Sequence, residues 1–139
     1  MLDGLDAVVY IGMMQGIPVV RVFQFIASGL IGVRAFHGGA AAAVLGAALH
    51  FTIAIGAAAV FYLLSLKLPV LVRRQLLCGQ IYGLGVFVFM HYVVVPLSAA
   101  PRQPPAGAAS LMNLIFSHVF FVGIPIAAAT SRMRSSPKQ

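Results

Sequence analysis

Three histidines stand inside long apolar stretches of this chain: His50, His91 and His118. An ionisable side chain inside a membrane segment is costly and is a functional candidate by default. Counted from the outer ends of their stretches, they lie about 10, 7 and 10 residues deep. At about 1.5 Å per residue those depths are roughly 15, 10 and 15 Å. Three imidazoles on three helices therefore fall in one slab, in the outer half of the bilayer. Imidazole suits zinc, copper, iron and haem iron, and a bundle core is a usual place for such a site. Asp6 or Asp3, with Gln24, could complete the ligand set. Haem or a transition metal is the cofactor this arrangement would hold. The alternatives are one interhelical hydrogen bond per histidine, worth about 0.6 kcal/mol, or a proton or polar-substrate site. The chain has no HxxxH, HExxH or CxxC pattern. His37, beside Gly38 and Gly39, reads as an exposed loop residue.

A second constellation is Arg21, Gln24 and Ser28, spaced i, i+3, i+7 on one helical face. Two readings compete: an interfacial helix with its stripe toward water, or a helix tucked against the bundle with Arg21 and Gln24 turned inward. With Tyr92 and Asn113 these residues form the candidate polar pocket. Small residues mark the packing faces. His50 shares its stripe with Ala43, Gly46, Ala47, Ala54 and Ala57, and Gly79, Tyr82 and Gly83 form another contact surface. Small residues at such spacing let helices approach closely; Gly46, Ala47, Ala54, Gly79 and Gly83 are the expected packing positions. His91 shares a face with Gln80, Leu84 and Ser98. His118 shares one with Leu111, Leu114, Ile115 and Phe121. Tyr62 reads as an interfacial belt residue, and Cys78 as a buried structural thiol.

The elements that position these groups follow from composition. The chain has 139 residues, 61% hydrophobic and 8% charged, with a mean hydropathy of +1.02. A soluble domain carries about a quarter charged residues, so this composition belongs in lipid. The expected fold is all-α: a polytopic bundle of four transmembrane helices in a single domain. The spans run over about 2–17, 40–66, 75–97 and 108–129, with a short amphipathic interfacial helix over 18–33. Pro18 suits the first turn of that helix. Ser98 to Gly107 is a Pro-rich hairpin loop, Pro125 is a candidate kink, and the basic tail 130–139 is expected to fray.

Net charge is +7, with nine Lys and Arg against two acidic residues. The cations sit at the edges of apolar runs, which reads as topology signal and headgroup contact, not nucleic-acid binding. Lys67, Arg73, Arg74, Arg132, Arg134 and Lys138 share the face expected to be cytoplasmic. Both termini then lie on the cytoplasmic side of the membrane, and Arg102 lies outside. Asp3 and Asp6, with no basic residue before them, do not make a cleavable signal peptide. Paired-carboxylate catalysis has almost no residues to use, and no phosphate-binding loop or GxSxG elbow is present.

The stretches RVFQFIASGLIGVRAFHGG, AAVLGAALHFTIA, YGLGVFVFMHYVVVPLS and HVFFVGIPIA resemble a group of small bacterial membrane proteins of about four spans, described as hypothetical. Arg21, Gln24, Gly38, Gly39, His50, Tyr92, Pro96 and His118 match that pattern. At His91 the pattern implies an amide such as Asn. It also implies a longer N-terminus before LDGLDAV, which would place Asp6 within the membrane. The resemblance implies no activity.

Three functions are therefore open. The first is a non-enzymatic accessory or structural subunit of a larger membrane assembly, partnered by lipid and by other membrane subunits or further copies of itself. The second is a metal- or haem-binding redox protein using His50, His91 and His118. The third is a small transporter or channel with Arg21 and Gln24 in its polar path.

Overall fold

The computed structural model describes residues 18–102 and 107–135, and every regular element among them is helical. The elements are α1 (Val19–Ile31), a 3-10 turn (Gly32–His37), α2 (Gly39–Lys67), the short α3 (Val70–Arg73), α4 (Gln75–Leu97) and α5 (Ala108–Ser135). Four helical stretches are long and apolar enough to cross a membrane: Val19–His37, α2, α4 and α5. By length and composition the protein is thus an all-α membrane protein with four membrane-capable helical stretches. The stretch 2–17, with Asp3 and Asp6, lies outside the described residues.

The first of the four differs in shape from the other three. α1 has 13 residues, about 20 Å of helix, against a hydrocarbon core of about 30 Å. It stops at Gly32, whose φ of +66° is left-handed backbone that favours glycine. The 3-10 turn then folds back along α1. Arg21 Nη1 donates to the Phe36 carbonyl at 3.4 Å, and Gln24 Nε2 donates to the Gly39 carbonyl at 3.1 Å. In a straight helix, groups fifteen residues apart would stand about 22 Å from one another. Val19–His37 is therefore a helical hairpin. By contrast, α2 runs 29 residues without a break, about 43 Å.

The chain forms two compact units, described separately. The first holds the described residues up to Ile53 and those from Val88 to Arg102. Its core is small: Ala27, Ala35 and Ala42 are buried, with Leu45 packed on them. Small side chains let the hairpin lie against α2. At the closest point a Cβ on Gly46 would run into the Phe23 carbonyl. After α4 the chain is tied to α1 by a hydrogen bond from Ala99 N to Gly29 O at 2.9 Å. Of the two readings of the polar stripe, the inward one describes Gln24 and Ser28, which are buried, while Arg21 remains exposed. The cause is the fold-back at Gly32, which lays the polar face of α1 on its own continuation.

The second unit holds Ala54–Phe87 and the described residues from Gly107 on. Here α4 and α5 meet through glycines. A Cβ on Gly79 would stand 2.8 Å from the Gly123 carbonyl, and one on Gly83 would run into the His118 carbonyl. Tyr82 reaches across to α2, its hydroxyl donating to the Ala57 carbonyl at 2.6 Å, while its ring meets Phe61 edge-on at 4.9 Å.

Two wide π-helical turns interrupt the α-helices, at Met90–Val94 in α4 and His118–Gly123 in α5. Each ends shortly before a proline, Pro96 or Pro125. Proline has no N–H to offer the carbonyl four residues back, and its ring pushes that carbonyl away. The helix widens upstream as a result. The fraying expected from Thr130 is corrected for the described part of the tail: α5 stays helical to Ser135. Thr130 is buried, and Arg134 donates a hydrogen bond to the Ser65 carbonyl, which anchors the last turns. Residues 136–139 lie outside the described part.

Candidate functional site

Gln24 is the most constrained polar group in the first unit. It is 4% exposed. Its Nε2 is used by Gly39, but its Oε1 has no hydrogen-bond partner among the described residues. A buried amide oxygen left unpaired costs about 1–3 kcal/mol, so native proteins seldom keep one without a reason. Ser28, one turn on, is fully buried and donates to the Phe25 carbonyl at 2.6 Å. At the rim Arg21 holds the end of the 3-10 turn by its bond to Phe36. Spacing in the sequence places these three residues on one face of α1. The carbonyls of Phe36 and Gly39, which accept from Arg21 and Gln24, leave no mark in a pattern of side chains.

Of the other two pocket candidates, Tyr92 is 65% exposed on α4 and packs its ring on His91 at 4.9 Å. Asn113 is half-buried on α5. The histidines occupy distinct settings. His50 is half-buried between the rings of Phe23 and Phe51, at 6.5 and 5.9 Å. His91 lies in the first π turn and His118 opens the second. His118 Nδ1 is 2.8 Å from the Leu114 carbonyl. A carbonyl only accepts, so Nδ1 is the donor in this contact. The Phe87 ring stands edge-on at 5.5 Å. His37 is exposed at the end of the 3-10 turn. Among the described residues no group of three His, Cys, Asp or Glu side chains could hold a metal ion. Asp6 lies outside the described residues.

The packing candidates fall into two groups. Gly46, Gly79 and Gly83 sit at backbone-to-backbone approaches, while Ala47 and Ala54 are half-buried along α2. Cys78 is half-buried, and its thiol donates to the Val70 carbonyl at 3.6 Å, seating α3 on the start of α4.

No family model, curated protein or solved structure matches this chain.

The Gln24 arrangement carries a stability prediction. In Gln24→Met the orphaned oxygen disappears and little volume changes. The Gly39 carbonyl loses one donor but keeps its place in the first turn of α2. Thermal unfolding in detergent is expected to show a variant as stable as the wild type, or more stable by up to about 2 kcal/mol. A loss of more than that would mean that Oε1 has a donor in the folded protein.

Proposed function

We propose that the protein is a non-catalytic subunit of a membrane assembly, docked through the outward ribbon of α2. The observation that carries this reading is the ribbon itself. Ala41, Ala48, Thr52, Gly56 and Ala59 are all exposed and recur at helical spacing along one helix. Ala48, Thr52 and Gly56 repeat at i, i+4 and i+8. This is the small-residue pattern by which membrane helices associate, since lipid offers no hydrophobic drive between them. Thr52 donates its hydroxyl to the Ala48 carbonyl at 2.8 Å, so it presents a methyl group outward without an unpaired donor. Around Gly56 a Cβ would meet nothing within 4 Å. That space can take the ridge of a neighbouring helix, from a second copy or from another membrane subunit.

The bacterial inner membrane is the proposed location, with both termini cytoplasmic. Support comes from the second unit. Arg134 is bonded beside Lys67, at Ser65, and α3, which carries Arg73, packs against α5. The loop cations and those of α5 thus share one end, and such an end stays on the cytoplasmic side.

The test is extraction in mild detergent followed by measurement of mass and composition. The wild type is expected to run with a partner chain or as an oligomer. Gly56→Ile, which fills the ribbon without touching the interior, is expected to release a folded monomer. A wild type that already runs as a lone monomer would sink the proposal.

A further inference from the structure

The protein has eight Lys and Arg among its described residues, and both of its acidic residues lie outside them. Ion pairing within the described chain is therefore impossible, and the countercharge has to come from elsewhere. The cations concentrate at one end of the second unit. There α3 continues into α4 with a bend at Arg74, held by hydrogen bonds from Arg74 N to Val70 O and from Cys78 N to Arg74 O, both 2.9 Å. Beside the bend lies a shallow, open cleft of about 360 Å³ lined by Arg73, Arg74, Gln75, Leu76 and Leu77. Both arginines are exposed, and their hydrogen bonds to other described residues are made by backbone groups, not by the guanidiniums. Leu76 and Leu77 are 62% and 50% exposed just below them. One wall is thus cationic and able to donate several hydrogen bonds, and the adjoining wall is aliphatic.

That order of chemistry, charge at the rim and hydrocarbon beneath, is the order within a phospholipid. Guanidinium forks match the geometry of phosphate oxygens. We propose that the cleft at Arg73 and Arg74 is a binding site for an anionic phospholipid, its headgroup phosphate on the two guanidiniums and its acyl chain along Leu76 and Leu77. The site does not depend on the subunit reading, since it lies on other helices than the α2 ribbon.

Native mass spectrometry of the detergent-purified protein tests this by titration with phosphatidylglycerol and, separately, phosphatidylcholine. The wild type is expected to retain phosphatidylglycerol in preference. Removing one arginine weakens such a contact about fivefold, so Arg73→Gln with Arg74→Gln is expected to weaken it about 30-fold. The control pair Arg34→Gln with Arg102→Gln, outside the cleft, is expected to leave it unchanged. Inorganic phosphate at the same concentration is expected not to displace the lipid. Equal retention of the two lipids by the wild type overturns the proposal without any variant. An equal loss in the control pair, or displacement by phosphate alone, overturns it as well.

Discussion

Gly46→Ala is expected to destabilise the first unit by at least the usual cost of overpacking, about 1–3 kcal/mol. The added methyl would meet the Phe23 carbonyl oxygen, then its carbon, then the Phe23 Cα at 3.1 Å. All three are backbone atoms of α1. No rotamer change relieves the clash, so the hairpin has to move off α2 as a body. That movement breaks the Gln24 to Gly39 bond and loosens the alanine core around Ala27 and Ala42. Gly46→Val is expected to unseat the hairpin altogether. The comparison is Gly85→Ala, where a Cβ meets nothing within 4 Å. There the alanine is expected to stabilise, by about 1 kcal/mol, because glycine is a poor helix former. Thermal unfolding of both variants in one detergent decides the matter. If they shift the midpoint in the same direction, the close approach of α1 to α2 is wrong.

The second large effect is expected at Gly123. A Cβ there would strike the Gly79 carbonyl and stand 2.8 Å from the Gly83 nitrogen. Gly79→Ala is the milder change, with its Cβ 2.8 Å from the Gly123 carbonyl and 3.0 Å from the Ala127 methyl. Each substitution alone forces α4 and α5 apart, costing about 1–3 kcal/mol. Once one has done so, the other has less left to disturb. The double variant is therefore expected to lose less than the sum of the singles, by about 0.5–3 kcal/mol. A double-mutant cycle measures this, and strict additivity would show that the two glycines do not face each other.

These glycines show what the sequence could reveal. Small residues at helical spacing mark a face that packs, and Gly46, Gly79 and Gly83 all lie at backbone approaches. Spacing does not say which backbone comes close, so Phe23 and Gly123 were hidden as partners. The hydrophobic runs of α2, α4 and α5 are legible for the same reason that membranes select them: long apolar segments must be helical to satisfy their amides. The reversal at Gly32 was not legible. It falls inside an apolar run, within the stretch 18–33 that reads as one amphipathic helix. Helical phase also fails beyond each π turn. The face shared by His91 and Ser98 was drawn with a uniform period across Met90–Val94, where the helix is wider. Pro96 and Pro125 were the available signals. Similar expected depths for the histidines, moreover, carry no information about the direction in which each ring points.

The arginine-rich end has a consequence for how the protein senses its surroundings. No described carboxylate stands beside the guanidiniums to offset their field. Dissolved salt weakens the attraction of this end for an anionic surface, because screening shortens the reach of exposed charges from about 30 Å at 0.01 M to about 8 Å at 0.15 M. Ionic strength is the variable to which this contact answers.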